Sequence, residues 1–381
     1  MGIFDPPPPD AVKEKERERE LLETQKESRG CYLCKIMFFI GALLTFSFFY
    51  EKQKLQRTRN VAVEKALTPS GVLPNFSGEY MIRMFYTDPG YFSNWEYNDV
   101  TVATQCSANH LHHVVKLWER WSGPISVAVF APNLEASFAT DAILSMQKCW
   151  PDMKKRVTFH LVYPTEHKAD LSESSGSLEY SSCEELRQII HDYGGDDSQN
   201  YKGDIPYPHN VLRNAARKGA ATEFVFLIDV DVMPSLHMRE GFNQFAKHLN
   251  YQSETNLKSW EPFYIARRSV PLFDERFKQY GFDRIEQICE LHVAGYRFSV
   301  LNNAFLVHDG WKEAHAAARM TETFRNWVLF HFHFQQALLK MYDDPLSCAP
   351  VQTWIPRGQR LLGDINNRHA RIQRKFLSNE V

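Results

Sequence analysis

The stretch Phe224-Val-Phe-Leu-Ile-Asp229-Val-Asp231-Val-Met-Pro-Ser235 decides how this chain is read. Phe224 to Val230 is an almost unbroken apolar run of the kind that forms a strand covered on both faces. It ends in two aspartates one residue apart, and Pro234 closes it. In a strand, residues i and i+2 share a face, so Asp229 and Asp231 are expected to approach one divalent ion together. Two like charges at that spacing are costly unless a cation holds them. Hard cations such as Mn²⁺ or Mg²⁺ take oxygen ligands and bridge phosphates, which suits a nucleoside diphosphate whose charge builds as its sugar departs. The bland alternative is a polar turn ahead of Pro234; the apolar strand before the pair favours the metal site. Haloacid-dehalogenase-type phosphatases also place two aspartates after a strand, the first as nucleophile. There the motif closes the first strand of its domain, whereas three strands precede it here and Val232-Met233 replaces the expected threonine.

Working outward, Val100 to Thr104, Ile125 to Phe130 and Val157 to Val162 are short and β-branched, hence strands. Ala108 to Trp121 and Leu134 to Gln147 carry helical periodicity, and a further helix begins at His209 and runs to Arg217. Pro164 to Asn200 reads as polar loop. This alternation predicts an α/β protein with a mainly parallel central sheet and ligands bound beyond the carboxyl ends of its strands. Asn210, Arg213, Asn214 and Arg217 fall at i, i+3, i+4 and i+7, one helix face. Guanidinium forks there suit phosphate or carboxylate, the alternative being a solvated polar face. Ser299 to Val307 is apolar and strand-like and ends at His308-Asp309-Gly310. A neutral imidazole at a strand end completes a metal shell; the bland reading is a surface histidine before a turn.

The chain has 381 residues, 44 basic and 46 acidic, with a formal net charge of −2, which is no electrostatic footprint for nucleic acid. Residues 1–30, with a proline run and the alternating charges KEKERERE, read as a disordered cytoplasmic tail. Residues 31–50 form the one membrane candidate, a transmembrane signal-anchor short enough for a thin membrane. A cleaved signal peptide is disfavoured by the long charged tail before the segment and the lack of a small-residue cleavage site. A single-pass type II orientation follows, with the folded domain lumenal. Residues 51–96 read as a stem containing the sequon Asn75-Phe-Ser77, a glycosylation candidate. The globular domain is placed at 97–350 and a C-terminal tail at 351–381. Cys31 and Cys34, at the membrane edge, are plain apolar residues or palmitoylation sites. The other five of the seven cysteines are available for disulfides in a lumenal domain, with no connectivity legible.

Several long motifs then match one family in order. They are Pro206-Tyr-Pro-His-Asn210-Val-Leu-Arg213-Asn214-Ala-Ala-Arg217, the aspartate stretch, Trp260-Glu-Pro-Phe-Tyr264, Phe273-Asp274-Glu275-Arg276-Phe277 with Gly281-Phe282-Asp283-Arg284, and Glu290-Leu-His-Val-Ala-Gly295 running on to Asn303 and His308. From about Val100 to Cys348 the chain resembles the β-1,4-glucuronyltransferase family that includes the glucuronyltransferase domain of the LARGE protein. The resemblance implies a GT-A-type nucleotide-sugar-binding fold preceded by the N-terminal transmembrane helix. It also implies inverting transfer of glucuronic acid from UDP-glucuronate to a xylose-terminated glycan acceptor on a glycoprotein, in the O-mannosyl chains of α-dystroglycan. It implies a Golgi membrane protein whose Mn²⁺ is held by Asp229, Asp231 and His308. Arg213, with Asn210 and Asn214, is the expected donor-binding group, and the implied fold puts Thr101 to Thr104, Thr104 above all, near the uridine. Inverting transfer needs a base for the acceptor hydroxyl; Asp283, Glu290 and Asp274 are the candidates, with Glu275 and Glu286 nearby, and the sequence does not choose among them. A homo-oligomer or a partner glycosyltransferase is the expected assembly.

The chain departs from the family between Ser235 and Trp260, where it is much shorter. Two expectations therefore stand: an active glucuronyltransferase, or a catalytically impaired Golgi member acting as a non-catalytic partner.

Overall fold

The computed structural model describes residues 71–87, 95–194, 205–246, 261–310 and 317–342, with six helical residues between 40 and 48. The chain divides into two compact units, Met1–Ala62 and Val63–Val381. The cytoplasmic tail, most of the 31–50 segment and the 351–381 tail lie outside the described residues. Among the described residues no helix is long and apolar enough to cross a membrane.

The second unit is built on a seven-stranded sheet. In chain order its strands are β1 (Val72–Pro74), β2 (Tyr80–Arg83), β3 (Val100–Ser107), β4 (Ile125–Phe130), β5 (Val157–Pro164), β6 (Phe224–Leu227) and β8 (Tyr264–Arg267), arranged β1-β2-β5-β4-β3-β6-β8. The four central strands are parallel, β5 to β4 to β3 to β6, and the outer pairings are antiparallel. A separate two-stranded ribbon joins β7 (Val232–Pro234) and β9 (Leu306–His308).

Period-two alternation explains why the central strands read as continuous apolar runs. Val100, Val102, Val127, Val129, Phe159 and Phe226 face one core with the helices α1 (Leu111–Arg120), α2 (Glu135–Cys149) and α4 (Cys183–Gly194). Ala103, Ala128, Phe130, Val162, Val225 and Leu227 face a second core under α5 (His209–Lys218). Short α3 (Pro151–Arg156) leads into β5, and α6 (Met238–Ala246) follows β7. The last elements are α7 (Ile285–Val293), α8 (Ala317–Leu329), a π-helical turn (Phe330–Phe334) and α9 (Gln335–Tyr342). Phe330, Phe334 and Leu338 there cover Phe277 and Cys289.

One polar pin crosses the second core. His160 accepts from the Phe85 N–H on Nδ1 (2.9 Å), which leaves Nε2–H to meet Ser126 Oγ at 2.9 Å. Ser126 in turn donates to the Ala216 carbonyl of α5. Burial pushes the His160 pKa down to about 3, so the imidazole stays neutral. Gly219 is required beside it, because a Cβ there would meet His160 Nε2 at 2.0 Å.

Three expectations change. Residues 72–83, read as stem, supply β1 and β2, so the sheet begins well before residue 97. The 164–200 stretch contains α4, which was missed because only Leu186 and Ile190 of it are buried. Cys183 at its start is disulfide-bonded to Cys149, and Cys289 is also disulfide-bonded, while Cys106 is a buried free thiol. The sequon is the third. Asn75 is buried, its Oδ1 accepts from the Tyr80 N–H, and its Nδ2 donates to Ser77 Oγ and to Glu275 Oε2. A side chain so engaged is a poor attachment point for a glycan in the folded protein.

Replacing Cys149 and Cys183 together by serine is expected to cost about 3–4 kcal/mol, from the chain-entropy estimate for a loop of this size; denaturant unfolding of the variant beside the oxidised parent measures it.

Candidate active site

The strand that carries the aspartate pair stops earlier than its apolar run suggests. β6 ends at Leu227, and Asp229 and Asp231 occupy a tight turn closed by the Val232 N–H donating to the Asp229 carbonyl (3.1 Å). The two carboxylates therefore do not share a strand face. What brings the third residue in is the ribbon. Its register sets Val232 opposite His308, and the Asp309 N–H donates to the Asp231 carbonyl at 2.8 Å. The strand expected over 299–307 is only the three residues Leu306–His308, but its end falls where the site requires it.

His308 Nε2 lies 3.4 Å from Asp231 Oδ2. Its Nδ1 is 3.3 Å from the Gly310 carbonyl, which accepts only if Nδ1 carries the proton. That tautomer leaves an Nε2 lone pair facing a carboxylate oxygen, two acceptors with a proton or cation needed between them. Asp231 Oδ1 is buried without a hydrogen-bond partner among the described residues. Burial, with Asp229 adding to it, pushes the Asp231 pKa up to about 6. A carboxylate with one oxygen unsatisfied and an imidazole beside it are donors of the kind a divalent cation such as Mn²⁺ takes.

Asp229 turns the other way. Its Oδ2 accepts from Arg284 Nη2, and Oδ1 lies 3.7 Å from Arg213 Nη2. Burial alone would raise its pKa, but Arg284, then Arg213 and His209, hold it below the ordinary carboxylate value. Among the described residues, no three His, Cys, Asp or Glu side chains are already gathered in ligand geometry. Asp231 and His308 meet, and Asp229 is shared with two arginines.

The polar face of α5 is not a solvated face; all four of its residues are buried. Asn210 donates to the Asp274 carbonyl and to Glu286 Oε1. Asn214 donates to the Phe273 carbonyl and to Glu275 Oε1, and accepts from the Phe273 N–H. Arg217 donates to the carbonyls of Arg268, Val270 and Pro271. These three hold the 268–286 segment against the sheet, so Asn210 and Asn214 act on architecture where donor contact was expected. Arg213 alone of the four reaches the aspartate turn. It donates to Asp283 Oδ2 (2.7 Å), to the Asp283 carbonyl and to Asn210 Oδ1. Thr104 is also displaced from its expected role: it is buried in β3 on the face opposite Ala103, and Ala103 lines the cavity beside Arg213.

The three base candidates separate. Asp283 is the counter-ion of Arg213, and although burial opposes it, Arg213, His209 and Arg284 keep its pKa low. Asp274 is clasped by Arg276 Nε at 2.9 and 3.0 Å. Glu290 accepts from Tyr342 Oη (2.9 Å), and burial raises its pKa. Glu286 is fully buried, and burial, with Asp274 beside it, carries its pKa well above the ordinary value.

Sequence reasoning missed Arg284, although it adjoins Asp283 in a quoted motif, and missed Gln105, which bonds Asp229 and accepts from Tyr207 Oη. It also missed His209, whose pKa burial lowers to about 4. Only the tertiary contact across α5, β3 and α7 reveals them.

The fold is that of an α/β protein with a mainly parallel sheet, an acidic turn beyond its central strands and a histidine brought to that turn by a separate ribbon. A family model described as "Glycosyl-transferase for dystroglycan" matches residues 99–259 and 249–343. The chain belongs to this glycosyltransferase family. It is 31% identical to beta-1,4-glucuronyltransferase 1 of Bos taurus, over 80% of this chain and 89% of that protein, and 32% identical to the Danio rerio protein of the same name, over 65% and 75%. It is 23% identical to xylosyl- and glucuronyltransferase LARGE1 of Homo sapiens over 57% of this chain and 33% of that one. The Bos taurus alignment runs to 377 positions yet takes up only 80% of this chain, so that relative carries residues this chain lacks. The two stretches matched by the family model meet at 249–259, inside the short connection after Ser235.

Two outcomes follow from the buried charges. Arg213→Met leaves Asp283 unpaired and is expected to destabilise by about 3–5 kcal/mol, whereas Arg213→Met with Asp283→Leu recovers most of that loss; chemical denaturation of the single and double variants checks it. Glu286 binds its proton more tightly folded than unfolded. Its contribution is complete below the ordinary carboxylate range and is lost as pH rises toward its folded pKa. Glu286→Gln should remove a slope of about 1.4 kcal/mol per pH unit from the stability profile above that range, read from unfolding midpoints across pH.

Proposed function

We propose that this chain is an inverting, Mn²⁺-dependent glucuronyltransferase of GT-A type. It would move glucuronic acid from UDP-glucuronate to a xylose-terminated glycan on a glycoprotein, of the O-mannosyl kind found on α-dystroglycan. The observation that carries the reading is the meeting of Asp231 and His308 at 3.4 Å beside an unsatisfied carboxylate oxygen. Asp229, Asp231 and His308 would hold the cation, which when bound neutralises the pyrophosphate as the sugar leaves. The Gly310 carbonyl fixes the His308 ring so that Nε2 faces the site. Arg213, itself held by Asp283, presents positive charge on the donor side. Of the three carboxylates considered as base, Asp283 and Asp274 are paired with arginines, whereas Glu290 accepts from Tyr342 Oη.

A Golgi membrane location, anchored once in type II orientation, is part of the proposal. The Cys149–Cys183 disulfide supports an oxidising lumen around the folded unit. A second reading, a catalytically impaired partner of an active glycosyltransferase, is favoured by the missing residues after Ser235.

The test is transfer from UDP-glucuronate to a xyloside by the full chain in detergent, with and without Mn²⁺. Mn²⁺-dependent product supports the enzyme; UDP binding without product on any xyloside supports the partner reading. Asp231→Ala is expected to abolish Mn²⁺-dependent UDP binding in calorimetry, and unchanged affinity would remove Asp231 from the site.

A further inference from the structure

The cavity beside the aspartate turn has apolar walls and charged groups set among them. It is lined by Tyr264, Phe273 and Ile288 together with Arg213, Asp229 and Arg284. The space is shallow and part-open to solvent. Two cations point into it, and they are held differently. Arg213 is buried and its Nη1 alone makes three hydrogen bonds, to Asp283 and Asn210, while its Nη2 lies 3.7 Å from Asp229 Oδ1. Arg284 makes its ion pair, among the described residues, with Asp229 only. Its guanidinium lies over the Phe263 ring, 4.3 Å from the centroid, which fixes the plane of the fork without using its donors.

Asp229 is also the residue that a divalent cation would claim. A cation bound there would compete with Arg284 for one carboxylate and would leave the Arg284 fork to an anion arriving with it, the cation itself supplying charge to the pyrophosphate. The sugar half of the donor then meets a planar, desolvated guanidinium between aromatic walls, a partner that matches a carboxylate in two parallel hydrogen bonds. A neutral hexose offers that group no charge, and leaving it unpaired in an apolar cavity is costly.

We infer that Arg284 is the residue that reads the uronate carboxylate of the donor, exchanging Asp229 for the substrate's acid when the cation binds. The inference rests on the glucuronyltransferase reading above and assigns its sugar selectivity to one side chain.

The experiment is calorimetry on the full-length chain in detergent with saturating Mn²⁺, titrating UDP, UDP-glucose and UDP-glucuronate into the parent, Arg284→Gln and Arg284→Lys. The parent should prefer UDP-glucuronate over UDP-glucose by about 10- to 100-fold, the worth of a charge-assisted bidentate pair. Arg284→Gln should bring that ratio down to about one while UDP itself binds within about twofold of the parent, and Arg284→Lys should keep part of the preference as a point charge. An unchanged preference in folded Arg284→Gln overturns the inference, as does an equal loss for all three nucleotides, which would make Arg284 a diphosphate ligand. A parent that binds UDP but shows no preference for the uronate overturns the glucuronate reading itself, a separate failure.

Discussion

Asp229 and Asp231 stand two residues apart just beyond a strand buried on both faces, and neither can be left uncompensated there. The surrounding architecture answers that constraint from three directions. α5 brings Arg213 from one side, the start of α7 brings Arg284, and the ribbon brings His308. Each of these groups is itself secured by a further contact: Asp283 on Arg213, Phe263 under Arg284, the Gly310 carbonyl on His308. The result makes two neighbouring carboxylates unlike: arginines hold the Asp229 pKa below the ordinary value, whereas burial raises that of Asp231 to about 6.

The second organising element is the polar face of α5. A helix with arginine and asparagine along one side normally turns that side to water. Here it is buried, because residues 268–284 have no regular secondary structure of their own to satisfy their carbonyls. Asn210, Asn214 and Arg217 supply donors to that backbone in place of a strand partner. A loop pinned in this way positions Asp283 and Arg284 with the precision of a rigid element, which is what a binding site on a loop requires.

Much of this was legible in the sequence. Ile125 to Phe130 is bounded to the residue, and the helix expected from His209 to Arg217 ends one residue later, at Lys218. Those elements declare themselves through long apolar periods that burial enforces. The illegible parts share a physical cause. β1, β7 and β9 are three residues each, too short for any period, and form only because a partner strand is already in place. The same holds for the site. Asp229, Asp231 and His308 could be named from motif and resemblance, but the turn that separates the aspartates is set by the ribbon. The arginine at 284 is indistinguishable in sequence from a surface charge. Asn210 and Asn214 were assigned to ligand because polar residues on one helix face look alike whether they bind a substrate or a backbone.

The ribbon has a biosynthetic consequence. The central parallel sheet is complete once Leu227 has been made, yet the imidazole that finishes the acidic turn arrives only with Leu306–His308, held by a three-residue ladder. A nascent chain ending before that point would carry the parallel sheet and the acidic turn without the imidazole, and Phe277 and Cys289 would lie without the cover of Phe330, Phe334 and Leu338. The turn is therefore completed together with the last part of the core, as a late event in the life of the polypeptide.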